Sequence, residues 1–524
     1  MAAIAAASAV LLAVCAPAQA ATPGHAPPRY GAPASWQPCP EGELTQVPEA
    51  ERRLYSCATV AVPLDHRSPG TGTIDIAMMR RAADGPGRRI GSLFMNPGGP
   101  GGSGFAMPIR TARALSAEVR SRFDLIGFDP RGVARSNAVR CFTTAEEAAA
   151  VRDKLSGIGA ELPDTVRAHH RYAQACREQA GPLLGHLATE SVARDLDLLR
   201  RSVGDAKLTY VGFSYGTLLG ATYVNLFPKQ VRAIVLDGNV DPVLRTRNGL
   251  EYLRQRAIGQ EAVIDAFLAR CTEVRERCAF SEGDPVAKFA AIRDRLHEGP
   301  VTVPGFGELT LSMFTAGVGG YLYNATDYSE LATLLQSVHD AIQPAAQPRA
   351  AAEPAALARF AIAARSGGVH DVRTDLDTPY TEDDSSFGVN CLDEPFPRGD
   401  TRFLRAVRTW EQVAPTVGPT HAISQLACGH WPVREPRRYA GPWNTKTPNP
   451  VLLFGNHHDP ATNYVFNQRM SAALGNSRLV TVAAFGHTIL GDSACADDIA
   501  ARYLTELIAP PAGVVCKPNT EPFS

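Results

Sequence analysis

A serine flanked by glycines lies at the centre of the pentapeptide Gly212-Phe213-Ser214-Tyr215-Gly216, which is the single G-x-S-x-G sequence in the chain. The apolar run 208–211 precedes it, and a helical pattern begins near Thr217. In such a strand–turn–helix the serine projects above the sheet, and the glycines avoid clashes within the tight turn. The pattern predicts a nucleophilic Ser214; the alternative is a purely structural glycine turn.

Two loops near the C-terminus supply the other groups that a serine nucleophile requires, a base and an acid that orients it. Asp459 follows the apolar run 451–454, and His487 follows the run 479–482. The chain order serine, acid, histidine is one of those known for catalytic triads, and both loops are expected at the ligand-binding edge of the sheet. We therefore predict that His487 is the base and Asp459 its orienting acid.

Other histidines compete with His487 for the role of base. His457 and His458 precede Asp459, so their order along the chain is wrong. His430, in Cys428-Gly429-His430-Trp431, remains an alternative, as does the interpretation of His487 as a surface histidine.

A glycine-rich loop, residues 96–104, directly follows the apolar run 92–95. Such a loop allows backbone N–H groups to approach a developing oxyanion, and we predict an oxyanion hole formed by the N–H groups of Gly99 and Tyr215. The spacing Gly99-x-Gly101-x-x-Gly104, with Asp124 about twenty residues later, also matches a dinucleotide fingerprint. That alternative leaves Ser214 unexplained, and a nucleotide P-loop is excluded because no Lys-Ser/Thr follows the glycines.

Short apolar runs separated by helical stretches must position these residues. The pattern predicts an α/β fold with a mostly parallel sheet and helices on both faces. The runs are 92–95, 123–128, 208–211, 233–236, 451–454 and 479–482.

The rhythm of apolar runs is interrupted between residues 245 and 425. This segment has a mainly helical pattern, with an Ala/Pro-rich piece at 344–356 and an acidic piece at 375–384. We predict an inserted, mainly helical cap at 245–425, between the two parts of an α/β domain, 21–244 and 426–524.

The bulk composition excludes some classes of partner. The chain has 524 residues, 20% of them charged, and a net charge of -1. It lacks the basic excess that holds nucleic acid or anionic membranes, so we expect no nucleic-acid partner and no stable membrane association.

The N-terminus and the cysteines indicate export. Residues 1–20 contain a short apolar run followed by Ala18-Gln19-Ala20, a pattern typical of a cleaved signal peptide. A lipoprotein anchor at Cys15 is the alternative. Ten cysteines then remain, and pairing of chain neighbours is the simplest of the possible disulfide patterns. The pairs would be 39–57, 141–176, 271–278, 391–428 and 495–516. No C-x-x-C pair or Cys/His cluster has the spacing of a zinc site, so we expect no metal. Chemistry that proceeds through an acyl-enzyme on Ser214 needs no organic cofactor.

Taken together, the motifs resemble those of the secreted tripeptidyl aminopeptidases of the prolyl-aminopeptidase-like α/β-hydrolase group. The carrying segments are 96–104, 127–132, 212–217, 236–238, 391–393, 459–462 and 486–487. The resemblance covers nearly the whole mature chain and implies an α/β-hydrolase fold. It assigns nucleophile, acid and base to Ser214, Asp459 and His487, and the oxyanion donors to Gly99 and Tyr215. Asn463 departs from the proline common in that family, which weakens its implications for specificity.

These observations favour a secreted aminopeptidase that releases short peptides, such as tripeptides, from free N-termini. An exopeptidase must recognise the terminal ammonium, and burying that charge is costly unless a carboxylate pairs with it. We predict Asp393 and Glu394, which follow Cys391, as the substrate-binding acids; the alternative is that both are surface acids. A carboxylesterase or lipase of the same fold remains an alternative function, as does an inactive binding protein.

Overall fold

A computed structural model describes residues 30–85, 87–111, 115–343, 359–360, 384–435 and 438–524. The predicted signal peptide 1–20, the alternative anchor Cys15 and the Ala/Pro-rich piece 344–356 therefore lie outside the described residues. Among the residues described, no helix has both the length and the apolar character needed to cross a bilayer.

Ten strands of the described chain form one sheet, in the order β1-β2-β3-β5-β4-β6-β7-β10-β11-β12. The strands β4 to β7 and β10 to β12 run parallel, whereas β1, β2 and β3 form an antiparallel extension that joins the sheet at β5. A separate hairpin, β8 (Val301–Val303) with β9 (Gly307–Leu309), lies in the helical segment. The sheet strands are β1 (Gln37–Pro38), β2 (Tyr55–Pro63), β3 (Thr73–Arg81), β4 (Gly91–Asn96), β5 (Phe123–Phe128), β6 (Leu208–Phe213), β7 (Val231–Asp237), β10 (Val451–His458), β11 (Ser477–Phe485) and β12 (Val515–Cys516).

The α-helices of the described chain vary from single turns to the 26 residues of α9. They are α1 (Glu49–Arg52), α2 (Met107–Thr111), α3 (Ala117–Arg122), α4 (Ala145–Arg152), α5 (Leu162–Gln179), α6 (Thr189–Ser202), α7 (Gly216–Leu226), α8 (Pro242–Arg247), α9 (Gly249–Val274), α10 (Pro285–Glu298), α11 (Leu311–Tyr321), α12 (Tyr328–Ile342), α13 (Ser385–Asp393), α14 (Thr401–Trp410), α15 (Gly418–Ile423), α16 (Ala427–His430), α17 (Tyr464–Ala473) and α18 (Ala494–Glu506).

The central strands are apolar on both faces because helices cover both faces of the sheet. Along β4, Phe94 enters the core under α6 and α7, whereas Leu93 and Met95 enter the core under α3 and α18. Every residue of β4 is buried, which explains why Leu93, Phe94 and Met95 are apolar in succession and do not alternate with polar residues. The predicted α/β-hydrolase fold, with a mostly parallel sheet and helices on both faces, is confirmed.

Helices α8 to α16 and the small hairpin occupy the chain between β7 and β10. Much of this segment packs into an apolar cluster of its own, which includes Phe267, Phe314, Tyr328 and Phe403. A separate cap domain with the bounds 245–425 stays a prediction. Of the acidic piece 375–384, only Asp384 lies within the described residues; it is buried and pairs with Arg152.

Five disulfides join the ten cysteines in the predicted neighbour-to-neighbour pattern. They are Cys39–Cys57, Cys141–Cys176, Cys271–Cys278, Cys391–Cys428 and Cys495–Cys516. Disulfides on this scale indicate an extracellular protein, because reducing compartments keep thiols reduced.

Candidate active site

Ser214 lies in the turn between β6 and α7 with a left-handed backbone, φ 54°. This conformation is unfavourable for a residue with a Cβ, and its recurrence at functional sites makes it informative. The turn is crowded: a Cβ added to Gly212 would lie 2.4 Å from the carbonyl oxygen of Gly216. The Ser214 N–H donates to the carbonyl oxygen of Asp237, at the end of β7, over 2.9 Å. The glycines therefore permit a turn that holds the serine at the carboxyl edge of the sheet.

His487 and Asp459 form a buried pair on the loops after β11 and β10. Nδ1 of His487 lies 2.9 Å from Oδ2 and 3.0 Å from Oδ1 of Asp459. The Asp459 side chain is fully buried, whereas 10% of the His487 side chain is exposed. Because both carboxylate oxygens lie near Nδ1, Asp459 fixes the orientation of the His487 ring.

The Asp459 carboxylate also accepts hydrogen bonds from the start of its own loop. The N–H groups of Ala461 and Thr462 donate to Oδ1, each over 2.8 Å, and the Thr462 hydroxyl lies 2.8 Å from Oδ2. These donors hold the carboxylate in one orientation, so the acid is satisfied without any ligand.

Asp237 and Gly238 link the serine turn to the histidine loop. The Asp237 carbonyl accepts the Ser214 N–H, and its Oδ2 accepts the N–H groups of Ile489 and Leu490 over 2.8 and 2.9 Å. A Cβ added to Gly238 would lie 3.1 Å from Cε1 of His487. No role for Asp237 was predicted; a carboxylate directly after the apolar run 233–236 is the signal that could have revealed one.

Burial raises the pKa of Asp237 to about 7, and the two N–H donors from the histidine loop act against that rise. Its other oxygen, Oδ1, has no hydrogen-bond partner among the described residues. Asp237 is therefore a buried carboxyl group that is only half satisfied, beside the His487 loop.

The glycine-rich loop after β4 packs against the serine turn. A Cβ added to Gly98 would lie 2.5 Å from the carbonyl oxygen of Phe213 and 3.0 Å from the backbone nitrogen of Tyr215. Gly99 has φ 108°, a conformation that favours glycine. The structure thus brings the loop that carries Gly99 next to Tyr215. Asp124, the acid of the dinucleotide alternative, is paired with Arg89 over 2.8 Å.

Asp393 and Glu394 are both buried, so neither is a surface acid. Asp393 accepts hydrogen bonds from the N–H and hydroxyl of Thr189, over 3.0 and 2.5 Å, and that hydroxyl also contacts the Tyr215 hydroxyl. Thr189 therefore links Asp393 to Tyr215, the residue after Ser214. Burial raises the pKa of Asp393, and the bonds from Thr189 oppose this rise.

Glu394 pairs with a buried arginine and retains one free oxygen. Its Oε1 lies 2.9 Å from Nη2 of Arg245, whereas Oε2 has no hydrogen-bond partner among the described residues. The guanidinium of Arg245 lies 5.4 Å from the centre of the Tyr215 ring. Burial raises the pKa of Glu394 to about 7, against the opposing charge of Arg245. Glu394 also lines a cleft of about 190 Å³.

The competing histidines have other partners. Nε2 of His430 lies 2.6 Å from Asp400. The ring of His458 stacks on Phe485 with centroids 4.2 Å apart, and His457 is exposed. Among these histidines, the structure brings His487 alone into contact with Asp459.

Residues of the helical segment between β7 and β10 contact the loops that carry Asp459 and His487. These contacts were not predicted from the sequence. The His487 N–H donates to the Tyr323 carbonyl over 2.8 Å, and the two rings meet edge to face at 5.2 Å. Asn463, after Asp459, donates to the Gln255 carbonyl and packs so closely that a Cβ on Gly259 would lie 1.9 Å from its Cγ. Backbone carbonyls give no sequence signal, so neither contact was predictable.

A serine on a strand–turn–helix, at the same sheet edge as a histidine–aspartate pair, is the arrangement of serine hydrolases with the α/β-hydrolase fold. Two family models match the chain, the alpha/beta hydrolase fold over residues 91–277 and the TAP-like protein over residues 414–516. The chain belongs to the α/β-hydrolase family, and its residues 414–516 are similar to the TAP-like protein model.

Three relatives share about 30% of their residues with this chain. Serine protease Hip1 of Mycobacterium tuberculosis is 30% identical over 508 residues, 94% of this chain and 92% of that protein. Tripeptidyl aminopeptidase of Streptomyces lividans is 29% identical over 477 residues, 89% of this chain and 84% of that protein. Carboxylesterase B of Mycobacterium tuberculosis is 30% identical over 503 residues, 92% of this chain and 90% of that protein. The chain is thus a serine hydrolase whose relatives are named as proteases, peptidases and esterases.

Proposed function

We propose that this serine hydrolase is an exported aminopeptidase that releases short peptides, such as tripeptides, from free N-termini. Ser214 is the nucleophile, His487 the base and Asp459 the acid that orients it. The observation that carries the chemistry is the buried 2.9 Å contact of His487 with Asp459, beside the left-handed turn at Ser214. The five disulfides support export.

The reaction proceeds through an acyl-enzyme. Oγ of Ser214 attacks the scissile carbonyl carbon while Nε2 of His487 takes the hydroxyl proton, and the N–H groups of Gly99 and Tyr215 stabilise the oxyanion. His487 then donates that proton to the departing amine. Water, activated by the same histidine, releases the short peptide and restores Ser214.

Recognition of a free N-terminus is assigned to Glu394. Its unpartnered Oε2 can accept a hydrogen bond from an ammonium without breaking the contact of Oε1 with Arg245. Asp393 has a different role, because both of its oxygens already accept hydrogen bonds from Thr189. The substrate ammonium would supply the donor that Glu394 lacks.

A panel of tripeptide amides with free and acetylated N-termini tests this function. We expect acetylation to lower kcat/KM by tens- to thousands-fold, on the scale of about 2–4 kcal/mol for a buried charge that loses its partner. Ser214→Ala is the control for contaminating activity and should abolish turnover of every substrate. Equal rates on free and acetylated peptides would contradict aminopeptidase activity.

A carboxylesterase is the second candidate, favoured by the relative named Carboxylesterase B. An ester substrate would use the same serine, histidine and oxyanion donors but would not require Glu394. Simple uncharged esters in the same panel distinguish the two, because the esterase would turn them over faster than any free-amine peptide.

A further inference from the structure

A second cluster of chemically active side chains has no role in the proposed hydrolysis. His170 in α5, Asp400 before α14 and His430 at the end of α16 come together there. Nε2 of His170 lies 2.9 Å and Nε2 of His430 2.6 Å from Oδ1 of Asp400. The two imidazole rings have centroids 4.1 Å apart.

We propose that this cluster is a binding site for a divalent transition-metal ion, Zn²⁺ in the first instance. Two imidazole nitrogens and one carboxylate oxygen form a three-ligand set that Zn²⁺ takes with a water in its fourth position. The candidate ligand atoms all lie within 4.8 Å of one another, so small side-chain rotations bring each within about 2.0–2.2 Å of one ion. Among the described residues, this is the one group of three or more such ligands.

The backbone around the cluster is already ordered. Gly399, before Asp400, donates its N–H to the carbonyl of Gly429, before His430, over 3.2 Å. A Cβ on Gly429 would lie 2.9 Å from the Gly399 carbonyl oxygen, so the two segments are in close contact. The residues before Asp400 and His430 are therefore fixed to each other, which holds these two ligands close together.

The third ligand is held in the same way. Nδ1 of His169, before His170, accepts the N–H of Ala427 at the start of α16 over 3.2 Å. The Cys391–Cys428 disulfide lies two residues before His430 and restrains that helix further. A site whose ligands are positioned before the ion arrives loses little conformational entropy on binding.

The side chains are also accessible. The exposed fraction is 42% for His170, 27% for Asp400 and 32% for His430, so an ion can enter from solvent and keep a water ligand. The ligands lie 230 and 30 positions apart along the chain, which is why no spacing motif revealed them. The metal would join α5 to the segment that also carries Glu394, so its binding should stabilise the folded protein.

The test is direct titration of the intact mature protein, stripped with EDTA, with Zn²⁺ in competition with a chromophoric chelator. We expect one equivalent bound, an increase in unfolding temperature of about 2 °C or more at saturation, and at least tenfold weaker binding in His170→Ala and His430→Ala. His297→Ala is the matched control, because His297 is 38% exposed and also pairs with a carboxylate, Glu411; its Zn²⁺ affinity should equal that of the wild type.

Co²⁺ provides a measurement that does not depend on variants. The wild-type protein should show the intense visible absorption of four-coordinate Co²⁺, and one equivalent of Zn²⁺ should remove it. Failure of the wild type to bind Zn²⁺, or binding that both His170→Ala and His430→Ala retain in full, would overturn the proposal and leave a hydrogen-bonded surface cluster only.

Discussion

Asp459 and Glu394 are both buried carboxylates of the proposed site, but their hydrogen bonding differs. Asp459 accepts hydrogen bonds from two backbone N–H groups and a hydroxyl, and its carboxylate also contacts His487. Glu394 has one charged partner, Arg245, and one oxygen with no partner among the described residues. A buried group left unsatisfied is costly, and it marks a place where a ligand can complete the bonding.

The difference in hydrogen bonding between Asp459 and Glu394 suits the two carboxylates to different roles in the proposed reaction. The hydrogen bonds of Asp459 are complete before substrate arrives, so in the proposed mechanism Asp459 orients His487 for any acyl substrate. The hydrogen bonds of Glu394 are complete only when a donor reaches Oε2, so in the proposed mechanism Glu394 distinguishes substrates by their N-terminus. Variants should therefore separate into those that affect all substrates alike and those that affect free amines only.

Asp459→Asn should have the largest effect. The amide can still accept N–H groups from its own loop, but its NH₂ would then face Nδ1 of His487 and favour the wrong tautomer. We expect kcat to fall by about 10⁴ on peptides and esters alike, as in other serine triads. Asp241→Asn is the matched control, because Asp241 is also buried and its side chain accepts a backbone N–H group at the start of α8. The kcat of this variant should stay within about tenfold of the wild type.

Glu394→Gln should have an intermediate and selective effect. Loss of the charge should lower kcat/KM on free tripeptide amides by tens- to thousands-fold, about 2–4 kcal/mol, while turnover of acetylated peptides or esters stays near that of the wild type. Kinetics on matched free and acetylated substrates measure this selectivity directly.

Asp393→Asn is the comparison variant at the neighbouring position. Asp393 acts through Thr189 on Tyr215, a proposed oxyanion donor, so its replacement should slow free and blocked substrates in similar proportion. Free-amine selectivity that survives Glu394→Gln and is lost in Asp393→Asn would reverse the assignment of the two acids.

The sheet and the disulfide pattern could be predicted from the sequence because their signals are local. Apolar runs such as 123–128 mark buried strands, and cysteines that are neighbours along the chain proved to be paired. Asp459 and His487 were predictable as a pair because each follows a strand that ends at the same edge.

The contacts that join distant parts of the chain were not predictable. The Tyr323 carbonyl holds the His487 loop, and His170 meets Asp400 across 230 positions. Neither contact depends on a local pattern, since a backbone carbonyl has no residue signature and helix packing decides which surface histidines meet.

The hydrogen bonding of Asp237 is intermediate between that of Asp459 and that of Glu394. Its Oδ2 accepts two N–H groups, and its Oδ1 has no partner among the described residues. Asp237→Asn keeps an acceptor for Ile489 and Leu490, so we expect kcat/KM to fall by less than about tenfold. A fall as large as that of Asp459→Asn would mean that Asp237, as well as Asp459, is needed to orient His487.

The stronger signature of Asp237 is the pH dependence of stability. Its pKa is raised to about 7 in the folded protein, whereas the pKa of an unfolded aspartate has its ordinary value of 3.8. Between these values the folded state binds the extra proton, so the free energy of unfolding falls as pH rises towards 7. The side chain introduced by Asp237→Asn does not titrate, so the free energy of unfolding of this variant should fall less between pH 5 and pH 7 than that of the wild type. The two falls should differ by up to about 2.5 kcal/mol. Urea unfolding of both proteins at the two pH values measures the difference, and parallel curves would show that Asp237 stays ionised in the fold.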